Sequence, residues 1–325
     1  MSTTPLITRR RALGVFAAAA TATVLSACSS SNSSGSGSSA SSAGGVTLKA
    51  GVFSWTAASI ETEILAAIAK KHPELGVSAV NSVTIDPAPG WIGLGRGDID
   101  LLTEVNLPNQ QTFADQNSST TELLSKTYGG ATQGWFVPKY LVQDGGAAAG
   151  LTSVSQLSDS SWADKVGGAL YDADPGWVTT TQNDARIKAF NLKLTHKTSS
   201  EAALIAQVER AYSSKQPIVF YFYHPHWLFT KYDLVQLSEP NPFQTSCFTS
   251  GGPSDCAIPT LEAWIGARKD LATRAPKFQA FLKKFTISLD EVQQLLAKSN
   301  DTGAKPPALA ADWVSAHAAD IAKWV

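Results

Sequence analysis

The sequence predicts an α/β protein of two lobes, each a mostly parallel sheet flanked by helices. Three observations carry this. From residue 46 onward, short runs of strand character alternate with segments of helical period. The rhythm breaks at "GGATQGWFVPKYLV" (129–142), where three glycines and a proline surround an aromatic run. The stretch from 46 to 325 is also long enough, at 280 residues, to divide into two cores. The expected division is a first lobe of 46–134 plus 246–325 and a second of 135–245.

"VTLKAGVFSWT" (46–56) opens as an alternating strand that ends at Trp55. In "SIETEILAAIAKKHPEL" (59–75), Ile60, Ile64, Leu65 and Ile68 recur at helical spacing. Ser59 is placed to cap that helix, with Glu61 and Glu63 in its first turn at the positive end of the dipole. "GVSAVNSV" (76–83) reads as the next strand. "GWIGLGRGDIDLLTEV" (90–105) reads as a glycine-rich turn and a further strand. The 129–142 segment crosses between lobes, and a short strand before Asp174-Pro175-Gly176-Trp177 follows. "SSEAALIAQVERAYSSKQP" (199–217) is an amphipathic helix capped by Ser199 or Ser200, with Ala203, Ile205, Val208 and Ala211 on its apolar side. "IVFYF" (218–222) is apolar throughout, as a strand covered on both faces requires. "PTLEAWIGARKDL" (259–271) returns as a strand to the first lobe, and the remaining tail is helical.

The N-terminus reads as an address. Arg9, Arg10 and Arg11 precede an apolar run from Ala12 to Ala27. That run is shorter than the ~20 residues that span a bilayer and fits a cleaved signal peptide of residues 1–27. It ends at Leu25-Ser26-Ala27-Cys28, which resembles the lipobox of bacterial lipoproteins, in which the cysteine is lipidated. Thr8-Arg9-Arg10 followed by Leu13 resembles a twin-arginine signal, so the export route, Tat or Sec, stays open. The serine- and glycine-rich tract that follows, with Cys28 making up 28–45, is a flexible tether with a typical reach of roughly 20–25 Å. The expectation is an exported domain anchored by lipid to the outer face of the cell membrane.

Removing residues 1–27, which hold three arginines and no acids, moves the formal charge from −1 to −4. No basic cluster survives, which argues against a nucleic-acid partner. Of three cysteines, Cys247 and Cys256 remain after lipidation of Cys28, and in an exported chain they are expected to form a disulfide. His224 and His226 form an H-x-H pair without the further ligands a metal site needs, so no metal or other cofactor is expected. Glycines 90, 93, 95 and 97 make no dinucleotide fingerprint and read as a tight turn before a strand. No nucleophile elbow, Walker loop or H-E-x-x-H occurs, which counts against an enzyme.

Ligands of open α/β sheets collect at the carboxyl ends of strands. Four such ends carry aromatics: Trp55, Trp135, Trp177 and the turn from Tyr223 to Trp227. Rings converging from separate strands form a cage suited to a quaternary ammonium, which has no N–H donors to lose on desolvation. His226 or a pair of backbone N–H groups is expected to hold a carboxylate. "YHPHWLFTKYDLVQLSEP" (223–240) resembles the signature of glycine betaine/choline-type substrate-binding proteins of ABC transporters, and "GDIDLLTEVNLPN", "GWFVPKYLV" and "FLKKFTIS" fit the same family. The resemblance implies a periplasmic-binding-protein-like fold whose lobes close about a hinge on a small cation or zwitterion. It also implies a permease and an ATPase subunit as partners. It assigns Tyr223 to the cage and His226 to the carboxylate. Trp55 and Trp177 are further walls. Many members have Trp in a Trp-Leu-Pro element where this chain has Asn106-Leu107-Pro108. Either Trp135 or Tyr128 replaces that ring, or a more polar ligand hydrogen-bonds Asn106. A binding protein for another small polar or aromatic solute, and a secreted hydrolase, are the alternative readings.

Overall fold

The computed structural model describes residues 45–249 and 251–325. The predicted signal segment, Cys28 and the tether up to residue 44 lie outside the described residues. The strands are β1 (Val46–Val52), β2 (Val77–Thr84), β3 (Leu101–Leu107), β4 (Thr121–Ala131), β5 (Gln133–Pro138), β6 (Ala169–Asp172), β7 (Thr195–Thr198), β8 (Val219–Tyr223), β9 (Leu234–Gln236) and β10 (Leu261–Arg268). They form two five-stranded sheets, ordered β2-β1-β3-β10-β4 and β7-β6-β8-β5-β9. Each has a parallel trio, β2-β1-β3 or β7-β6-β8, extended by antiparallel strands. The two crossings feed the fourth position of each sheet. Only Thr132 separates β4 from β5, and β10 returns after the second sheet is complete.

Helix Thr56–Lys71 begins directly after Trp55, not at Ser59. The small Ala57 and Ala58 are buried, Thr62 donates to the Ala58 carbonyl at 2.8 Å, and the Thr62 and Thr103 hydroxyls share a hydrogen bond at 2.6 Å. Glu61 therefore sits in the second turn and is buried. The glycines at 90, 93 and 95 lie inside a helix, Pro87–Arg96, which ends at Gly97 in the left-handed region (φ 89°). Glycine costs about 1 kcal/mol against alanine in a helix. The gain here is close approach: a Cβ on Gly90 would stand 3.3 Å from both Ile85 Cγ2 and Leu102 Cδ2. In helix Glu201–Ser213, Ser200 Oγ accepts from the Ala203 N–H. This phase turns Leu204, Val208 and Ala211 inward and leaves Ala203 exposed.

Trp135 is a core residue rather than a cleft wall. It shares a sheet face with Gln133 and pairs with Tyr221, but it lies two residues deeper along β5, roughly 7 Å. There helix Val178–Ala189 covers it. Its Nε1–H donates to Asn183 Oδ1 at 2.8 Å, and the Arg186 guanidinium lies 5.0 Å from the ring centroid. Arg186 is fully buried, pairs with Glu239 and donates from Nε to the Cys256 carbonyl at 3.1 Å. The Cys247–Cys256 disulfide is formed, so the small loop it closes is fastened to this helix. Trp135→Ala is expected to lower unfolding stability by about 3–5 kcal/mol, the usual cost of deleting a buried indole. Chemical denaturation measures it, and a loss under about 1 kcal/mol would remove Trp135 from the core.

Candidate functional site

The parallel trios point their carboxyl ends at one cleft. Trp55 follows β1; Glu104, Asn106, Asn109 and Gln110 lie in or after β3; Trp177 follows β6; Tyr221, Tyr223 and His224 end β8. Tyr128 of β4 also lines it. The space among these side chains, open solvent at its mouth included, is about 550 Å³.

Three rings set the shape. Trp55 and Trp177 meet at 5.4 Å between centroids and 85° between planes; Trp177 and Tyr223 meet at 5.8 Å and 63°. Trp177 is fixed by donating to Ser54 Oγ at 2.8 Å, a bond from the loop after β6 to the loop after β1. Asn109 Nδ2 donates to Thr179 Oγ1 at 3.0 Å, a second contact across the cleft.

Glu104 fills a position that strand alternation would not give it. Opposite β10 the register slips between Trp264 and Gly266, so β3 carries an extra residue there. Such a bulge re-aims a side chain. Glu104 has φ 55°, in the left-handed region that side chains usually avoid. Its carboxylate lines the cleft and accepts from Trp55 Nε1 at 3.1 Å and from the Tyr128 hydroxyl. Burial raises its pKa to about 7, although both hydrogen bonds oppose the rise. Glu61 lies behind it and accepts from Thr127 at 3.2 Å. Burial, and then the neighbouring Glu104, raise Glu61 well above the usual carboxylate range.

On the opposite side, Glu201 accepts from the Tyr223 hydroxyl at 2.5 Å and lies beside the Thr56 backbone N–H. Burial raises its pKa too, to about 7. His226 is 1% exposed and does not line the cleft. Its Nδ1 accepts the Leu228 N–H at 3.2 Å, and its Nε2 stands 3.6 Å from Glu201 Oε1. Burial lowers its pKa to about 3, so the ring is neutral.

The structure thus brings Trp55, Asn106, Trp177 and Tyr223 together and leaves Trp135 and His226 behind the wall. Of the two rings expected to compensate for Asn106, Tyr128 lines the cleft and Trp135 does not. Sequence reasoning passed over Glu104, Glu201 and Asn109. An acid inside the apolar run "DLLTEVNL" was the one available signal. Among the described residues Cys247, Asp255 and Cys256 approach as metal ligands would, but the two sulfurs are bonded to each other.

The sequence from 46 to 316 matches the substrate binding domain of ABC-type glycine betaine transport systems. The glycine betaine/carnitine transport binding protein GbuC of Listeria monocytogenes is 30% identical over 156 residues. That alignment spans 47% of each chain, about half the length of the relative. The fold is similar to that of lactococcal OpuAC in its closed form with glycine betaine (TM-score 0.70, 20% identity, covering 86% of this chain and 98% of that one). It is also similar to that of an ABC-transporter choline binding protein in complex with choline (TM-score 0.71, 21% identity, 86% and 91% covered). The fold is that of the two-lobed binding proteins, and the chain belongs to the family of substrate binding domains of ABC-type glycine betaine transport systems.

Proposed function

We propose that the chain is the extracytoplasmic solute-binding component of an ABC importer and takes a small quaternary ammonium or betaine-like compound in its cleft. The observation that carries this reading is the meeting of Trp55, Trp177 and Tyr223 at steep angles beside a buried carboxylate. Family membership and the names of the relatives, which bind glycine betaine, carnitine or choline, support it. Its partners are a permease and an ATPase subunit, and Cys28 is the lipid attachment point. Among the described residues no helix is long and apolar enough to cross a membrane.

The energies are consistent with useful affinity. Three rings contribute roughly 2–6 kcal/mol at ~0.5–2 kcal/mol each. Micromolar binding needs about 8 kcal/mol. A carboxylate ~5 Å from the cation contributes on the order of 3 kcal/mol at an effective dielectric of ~20, before desolvation. Glu104 is placed to supply it.

Trp177→Ala and Tyr223→Ala are each expected to weaken binding by about 1–2 kcal/mol without unfolding the protein. Titration calorimetry with choline and glycine betaine reads this, and unchanged affinity in both variants would dismantle the cage.

Acidity acts in opposite directions on stability and on cation binding. Glu104 and Glu201 have folded pKa values near 7, above the ordinary 4.5. Their contribution to stability is fully present below 4.5 and is lost as pH rises through about 7. The ligand-free protein should therefore melt at lower temperature at pH 8 than at pH 5.5. A cation favours the ionised carboxylates, so its affinity should rise several-fold over the same interval. The groups facing these carboxylates are Glu61, Tyr128, Tyr223 and His226. Of these, neither tyrosine titrates near neutrality, because burial raises both. A cation affinity flat from pH 5.5 to 8 would exclude the carboxylates from the site.

A further inference from the structure

The groups suited to hold a ligand's carboxylate are already occupied by one from the protein. The Tyr223 hydroxyl donates to Glu201 at 2.5 Å, and His226 Nε2 faces the same oxygen at 3.6 Å. Among the described residues lining the cleft there is no lysine or arginine. The Asn106 and Gln110 amides carry no charge, burial lowers the His224 pKa and so disfavours its cationic form, and Glu104 is an acid. A zwitterion's carboxylate entering here meets a like charge and no cationic partner.

The cleft instead presents acceptors. The Gln133 Nε2–H group donates to the Pro259 carbonyl at 2.9 Å, which fixes that amide's orientation because a carbonyl only accepts. Gln133 Oε1 therefore accepts, from Tyr221 at 2.8 Å and from Thr179 at 3.4 Å. With its proton so committed, Thr179 Oγ1 accepts from Asn109 Nδ2 at 3.0 Å. The chain leaves Asn109 Oδ1 buried, without a hydrogen-bond partner, on a residue that lines the cleft. A buried acceptor of this kind carries a desolvation cost that a donor from the ligand removes.

Resting on the solute-binding reading above, we propose that this site selects a small cation bearing its own O–H or N–H donor, an amino alcohol of the choline type, over a carboxylate-bearing zwitterion. Glu201 stands in for the carboxylate, Glu104 faces the ammonium head, and Asn109 Oδ1 takes the ligand's donor.

Calorimetry on the purified protein with four probes tests this: choline, its O-methyl ether, glycine betaine and tetramethylammonium. Choline is expected to bind at least tenfold more tightly than each of the others. In Asn109→Ala its advantage over the methyl ether should shrink below threefold, and in Glu201→Gln its advantage over glycine betaine should narrow. Glycine betaine binding as tightly as choline, or the methyl ether matching choline, would overturn the inference while leaving the cage intact. Failure of all four probes to bind would overturn the solute-binding reading itself and this inference with it.

Discussion

A carboxylate buried between an indole N–H and a phenol O–H orders the cleft. Glu104 accepts from Trp55 and Tyr128, and so orients two of the aromatic side chains that line the cavity. Its position depends on an extra residue in β3 and on a backbone conformation of φ 55°. Such backbone costs of order 1–3 kcal/mol persist only where the surroundings over-determine them, and they cluster at functional sites. Here the surroundings are β10, whose Trp264 pairs with Val105 and Gly266 with Leu102 across the slipped register. The bulge and the acid act together, turning a carboxyl group out of the sheet's core and into the cleft.

The two sheets repeat one plan, and that plan explains why the site has two sides. In each sheet the parallel trio ends at the cleft, and the fourth strand belongs to a crossing. Equivalent strand ends therefore face one another: Trp55 after β1 meets Trp177 after β6, and the loop after β3 meets the end of β8. The rule that ligands gather at strand carboxyl ends acts twice in this molecule, once from each side.

This is also why part of the site was legible in the sequence. Trp55, Trp177 and Tyr223 announce themselves because each is a large ring at the end of a short apolar run, and Asn106 because it departs from an otherwise familiar pattern. Trp135 has the same local appearance and a different fate. Depth along a strand is set by which helix covers it, and that is tertiary information. Glu104 is hidden because β3 is buried on both faces, so alternation does not reveal where a residue points. Glu201 sits where any helix tolerates an acid, in the first turn, and only the fold shows that it reaches Tyr223 and Thr56. The glycine-rich helix was missed for a related reason: propensity disfavours it, and close packing against Ile85 and Leu102 overrides propensity.

An internal carboxylate changes how closure and recognition divide the work. When a ligand's carboxylate bridges two lobes, the ligand itself supplies much of the preference for the closed arrangement. In this chain Glu201 reaches the helix that starts at Thr56, Trp177 reaches Ser54, and Thr179 reaches Asn109. These contacts join the two sides of the cleft with no guest between them. A ligand shifts a conformational equilibrium only by its differential affinity for the two states. Where the protein already supplies cross-cleft bonds, less of the ligand's binding energy is needed to bring the lobes together, and apparent affinity lies closer to the intrinsic value of the closed cleft. Discrimination must then come from the cavity's own chemistry, from faces that attract a cation and acceptors that wait for a donor, and not from the strength with which a guest ties the lobes together.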